Sequence, residues 1–142
     1  DHDERRFGIQ RGRCEGQQVW EALCLLVALR VWASFWRSRR CVLSVKSDSV
    51  SALTLLLVMR PSTPQLAIIA RALALDVSES CYRPVCVALI PGVSNKLADM
   101  LSRAGEHVCI PPELMQARRV TPPVRDDTYF RALAPPVRAK GA

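Results

Sequence analysis

Three carboxylates draw the eye because of what surrounds them: Glu21, Asp48 and Asp99. Asp48 lies in Ser47-Asp48-Ser49, between the apolar, β-branched stretch 42–47 and the run 50–59, which reads as a helix. A short apolar run suits a buried strand, and the Ser-Asp-Ser triplet after it carries helix-capping oxygens. Asp48 is therefore expected where a strand ends and a helix begins. Open α/β sheets bind their ligands at that edge. A plain helix-capping role would also account for it. Glu21 has Leu25 and Ala28 at i+4 and i+7, so it faces the apolar side of its helix. An unpaired carboxylate there costs several kcal/mol, although a place in the first helical turn, helped by the helix dipole, would also account for it. Asp99 shares a polar helix face with Asn95, Lys96, Ser102 and Arg103, which alone describes a solvated surface.

The elements that must position these acids can be read in order. Residues 1–16 are charged and punctuated by glycine, with a short edge strand expected at 6–10. The longest helix is expected over 17–38 and ends in the basic cluster Arg37-Ser38-Arg39-Arg40, where cations suit either the helix dipole or phosphate. Arg30, Ser34 and Arg37 form a polar stripe along it. After the strand at 42–47 and the helix at 50–59, Arg60-Pro61-Ser62-Thr63-Pro64 breaks the chain. A helix over 64–80 turns Leu66, Ile69, Leu73 and Val77 inward. Residues 82–90 read as a second strand, placed at an edge by Pro84 and paired in parallel with the first. Pro91-Gly92 turns the chain into a helix over 95–103, with Leu97 and Leu101 facing the core. Residues 105–142 are rich in proline and arginine and read as a linker or docking tail with a short helix at 112–117.

With 142 residues and 49% hydrophobic content, the chain has one domain's worth of core. A net charge of +7 and a pI near 9.5 suit a polyanionic partner. The six cysteines form no CxxC pair, and with only two histidines a zinc site is not expected. Cys24 and Cys86 read as small buried hydrophobes, and the cysteine usage suits a reducing, intracellular setting in cytoplasm or nucleus. The apolar run 22–29 is closed by Arg30 and too short to span a bilayer, so no membrane is expected.

Taken together, the blocks Gln17-Gln18-Val19-Trp20-Glu21-Ala22-Leu23, Ser47-Asp48-Ser49-Val50-Ser51-Ala52-Leu53 and Ile90-Pro91-Gly92-Val93-Ser94-Asn95-Lys96-Leu97-Ala98-Asp99-Met100-Leu101-Ser102-Arg103 resemble the ribonuclease H domain of long-terminal-repeat retroelement reverse transcriptases. The resemblance covers about 15–104, and its third block is the most specific. It implies an α/β, ribonuclease H-like fold with a mixed sheet flanked by helices. It also implies that Glu21, Asp48 and Asp99 are catalytic and hold magnesium or manganese, and that Ser49, Asn95 and Arg103 contact nucleic acid. The implied reaction is two-metal hydrolysis of the RNA strand of an RNA–DNA hybrid, within a polyprotein whose polymerase domain lies upstream.

Two features depart from the family pattern. The family's first strand carries a fourth acid in a hairpin before the long helix, and this chain begins too late to hold it. Asp1 and Asp3 have no strand around them and do not inherit that role. Leu89 stands where the family usually has a histidine, ten residues before the last acid. The chain so read is an N-terminally truncated copy, with 1–16 a remnant, 17–104 the domain and 105–142 the tail. The alternatives are a catalytically dead nucleic-acid-binding or structural remnant, or an unrelated α/β protein whose acids are caps and surface residues.

Overall fold

The computed structural model describes residues 2–36, 41–79, 82–103 and 110–132. The cluster Arg37–Arg40 lies outside them. Helices α1 (His2–Phe7), α2 (Gln17–Val31), α3 (Val50–Val58), α4 (Pro64–Glu79), α5 (Lys96–Ser102) and α6 (Pro112–Met115) accompany strands β1 (Cys41–Ser47) and β2 (Tyr82–Leu89). The chain thus mixes helices with a small parallel sheet, which is an α/β arrangement. β1 pairs with β2 in parallel register, from Cys41 opposite Tyr82 to Ser47 opposite Leu89. Pairing slips by one residue where Leu43 faces Pro84 and Ser44 faces Cys86. Proline has no N–H for the ladder, which is why it disturbs pairing there. The described strands form this two-stranded pair and not the mixed sheet that was expected.

The core is helical. α2 contributes Val19, Ala22, Leu23, Leu26 and Leu29; α3 contributes Leu55 and Leu56; α4 contributes Leu66, Ile69, Ala70, Ala72 and Leu73. The inward stripe of α4 is as the 3.6-residue period requires, with Val77 only partly covered. α4 begins where Thr63 Oγ1 accepts from Leu66 N at 3.2 Å and Pro64 occupies the first turn. α3 stops at Met59, whose left-handed φ of 53° ends the helix while its N–H still reaches the Leu55 carbonyl.

The two ends of the chain correct the sequence reading. Residues 6–10 are not a strand: α1 runs to Phe7 and a turn follows at Gly8. Phe7 is buried and meets Trp20 and Phe130 edge to face, with centroids 5.8 and 5.6 Å apart. A strand would have alternated Phe7 with polar neighbours on two faces, and among the described residues no strand stands beside it to complete a ladder. The segment is held close to α2 at Gly16, where a β-carbon would come within 2.0 Å of Ile9 Cγ2. At the other end, Tyr129 and Phe130 are buried in the core, so 125–132 is not a free tail. α6 falls within the short helix expected at 112–117.

Charges explain how the last segment stays down. Arg30, expected on a polar stripe, donates through Nε and Nη2 to the two oxygens of Asp76 at 2.6 and 3.0 Å. It also donates to the Tyr129 carbonyl and lies 4.3 Å over the Tyr129 ring. Arg131 bridges Asp76 at 3.0 Å and Glu79 at 2.7 Å. Arg125 reaches the buried Asp3 at 2.6 Å, and Arg6 reaches Asp127 at 2.6 Å. Asp76 sits on the inward half of α4 because two guanidiniums meet it there.

Removing one partner of a buried ion pair strands the other's charge. Asp76→Ala is therefore expected to lower stability by about 3 kcal/mol, read as a reduced urea midpoint. Burial raises the pKa of the Tyr129 phenol, with Arg30 and Arg125 pulling against that shift. The folded state thus keeps a proton the unfolded chain releases, so this contribution is complete below about pH 10 and fades as pH rises through the folded pKa. Melting temperature should fall above pH 10, and Tyr129→Phe should flatten that fall.

Candidate functional site

The strand-to-helix junction is built by serines. Ser49 takes extended backbone at the N-cap of α3, and its Oγ accepts from Ala52 N at 3.2 Å. Ser47 Oγ accepts from Ser49 N at 3.1 Å, and Ile90 N donates to the Ser47 carbonyl at 3.0 Å, prolonging the β1–β2 register by one residue. Ser49 is therefore the cap, and Asp48 is left with an exposed carboxylate at the carboxyl end of β1. Its Oδ1 accepts from Asn95 Nδ2 at 3.2 Å. Its Oδ2 faces the Gly92 turn, where a β-carbon would stand 3.5 Å away.

The other two acids come from different elements. Glu21 is half-buried on α2 and accepts from Gln17 Nε2 at 2.9 Å. Asp99, exposed on α5, accepts from Arg103 Nε at 3.1 Å across one helical turn. All three carboxylates and Asn95 line one open cleft of about 1000 Å³. Trp20, Trp32, Trp36 and apolar side chains of α2 and β1 form its remaining wall, with Lys46 beside Asp48.

The carboxylates and the Asn95 amide oxygen are donors that suit a hard divalent cation, whereas the Cys14 and Cys24 thiols lining the same cleft are not. The carboxylates are not drawn into one coordination sphere: among the described residues no three His, Cys, Asp or Glu side chains stand close enough to hold a metal ion. Gln17, Asn95 and Arg103 each occupy one of the acids instead.

Several expectations change here. Ser49 is buried and its hydroxyl is committed to the α3 cap and to Ser51 Oγ at 3.2 Å, so it shapes the junction that carries Asp48 and does not line the cleft. Leu97 and Leu101 are 54% and 49% exposed: α5 packs chiefly on the short turn Gly92–Ser94 and not on the helical core. Cys24 is exposed on the cleft wall, where poor hydration among apolar neighbours pushes its thiol pKa up. The side chain of Cys86 lies outside those described. Sequence reasoning missed the indoles, although Trp20 and Trp32 recur on the face of α2 that carries Gln17, Cys24 and Ala28.

Comparison with protein-family models, with curated proteins and with solved structures found no match. Among the described residues no helix is long and apolar enough to cross a membrane.

The division of labour between neighbours at 48 and 49 is testable by chemical denaturation. Ser49→Ala loses a helix cap and should cost about 1 kcal/mol. Asp48→Ala removes an exposed group that caps nothing and should change stability by less than about 0.5 kcal/mol.

Proposed function

We propose that this chain is the ribonuclease H-type domain of a retroelement reverse transcriptase polyprotein, where it binds RNA–DNA hybrid and serves hydrolysis of the RNA strand. The observation carrying this reading is that Glu21, Asp48 and Asp99, remote in sequence, line one cleft beside the carboxyl end of a parallel strand. Chance surface acids on a long helix, a strand end and a late helix have no reason to share one concavity. A ribonuclease H-like arrangement of the sheet and helices belongs to the same proposal.

Magnesium or manganese would require Glu21, Asp48 and Asp99 to draw closer than they stand, and once held by them would supply an activated water and a counter-charge for the leaving oxygen. The chain's own groups prepare that site. Asn95 orients Asp48 through Oδ1, Gln17 restrains Glu21, and Arg103 holds Asp99 directed along α5 until a cation competes for it. Arg103 then becomes available to a phosphate, and Asn95 lies within reach of the same backbone. The net charge of +7 favours that polyanion. The upstream polymerase domain and an intracellular setting follow from the family reading.

A second reading, a nucleic-acid-binding domain without catalysis, is favoured by Leu89. It stands 57% exposed at the end of β2, and leucine can neither shuttle a proton nor assist product release.

Hybrid binding by fluorescence anisotropy, with and without magnesium, tests both readings. Expected are salt-sensitive binding that tightens with magnesium and loss of the magnesium effect in Asp48→Asn. RNA-strand cleavage abolished by Asp99→Asn selects the first reading, and magnesium-enhanced binding without cleavage selects the second. Failure to bind hybrid excludes both.

A further inference from the structure

The acid-lined cleft does not end at α2. A second cavity of about 870 Å³ opens on the other flank of that helix, with Leu23, Val27 and Val31 against it and Arg11, Arg118 and Arg125 around it. The two cavities share one wall. It is the ridge formed by Gln17, Trp20, Cys24 and Ala28 and closed by Trp32 at the helix end, with Ser102 of α5 also lining both spaces. At the rise of an α-helix, positions 20 and 32 stand about 18 Å apart along the axis. Between them the ridge drops to the small side chains of Cys24 and Ala28. This part of α2 is a saddle between two hollows.

The hollows differ in charge. Glu21, Asp48 and Asp99 against Arg13 and Lys46 lie on one side, while three guanidiniums against the single carboxylate of Asp3 lie on the other. Asp3 is engaged by Arg125 at 2.6 Å and approached by Arg11 at 3.7 Å, whose guanidinium also sits 5.6 Å from the Trp20 ring centroid. Arg118 is exposed on the same side, and Trp32 is 50% exposed on the crest. Cationic groups beside accessible indole faces are the chemistry that holds unpaired bases and their phosphates. A duplex hides its base faces, so this chemistry selects a single strand.

We propose that the saddle is a path for single-stranded nucleic acid, with phosphates on Arg118 and Arg11, a base stacked on Trp32, and the strand continuing over Cys24 and Ala28 into the acid-lined cleft. Only the destination of the strand rests on the nuclease reading; its binding does not.

Fluorescein-labelled oligouridylate and oligothymidylate, titrated with the full chain over a salt series, test the path. Trp32→Ala should weaken binding of both by at least about fivefold, since a base stacked on an aromatic side chain contributes about 1 kcal/mol or more. Trp32→Phe should restore most of it. Arg118→Gln should lower the slope of log affinity against log salt by about 0.7, the share of one single-strand phosphate. Arg60→Gln, outside both cavities, should change neither. Wild-type binding by both Trp32→Ala and Arg118→Gln overturns the path, as does equal competition by a poly-glutamate peptide of matched charge. Asp48→Asn separates the two proposals. If it leaves magnesium-enhanced hybrid binding intact while the Trp32 and Arg118 effects persist, the nuclease reading fails and the path stands. The opposite pattern leaves the nuclease reading without the path.

Discussion

The ion pair between Arg30 and Asp76 is the constraint on which most of the molecule depends. It ties the last turn of α2 to the last turns of α4, in a setting where either charge alone would be strongly destabilising. Its remaining hydrogen-bonding capacity is used to hold the chain's other end, because Arg30 also binds the Tyr129 carbonyl and Asp76 also binds Arg131. Arg131 sits at a left-handed φ of 50°, a conformation a non-glycine residue keeps only when its surroundings enforce it. Two carboxylates, Asp76 and Glu79, do so. With that corner closed, Phe130 fills the space against Phe7, and α1 is trapped in turn.

Fixing α2 in this way leaves its opposite side for function. One face carries Ala22, Leu26 and Leu29 into the core, and the other carries Glu21 and the tryptophan ridge to the clefts. The strand β1 reaches the same cleft because its parallel partner and the Ser49 cap set where the strand stops and α3 begins. Asp48 is displayed because the residue after it has taken the structural task.

The order and type of the central elements were legible in the sequence, since apolar periodicity and proline breaks mark α2, α3, α4 and both strands plainly. The resemblance led to the expectation that Glu21, Asp48 and Asp99 would gather; they line one cleft, yet among the described residues they do not stand close enough to share one ion. What could not be read was long-range partnering. Nothing local to Asp76 announces Arg30, 46 residues away, and a Pro/Arg-rich segment gives no local sign that Tyr129 and Phe130 complete a core. Leu97 and Leu101 mislead for the converse reason: their spacing is helical, yet burial depends on a surface that α5 does not meet among the described residues.

Manganese titrated into the folded chain and followed by its electron paramagnetic resonance is the most direct measure of whether the three acids act together. The account predicts saturable binding that is lost in Asp48→Asn and weakened in both Glu21→Gln and Asp99→Asn. Binding that is unchanged by all three substitutions, or no binding by the wild-type chain, would contradict it.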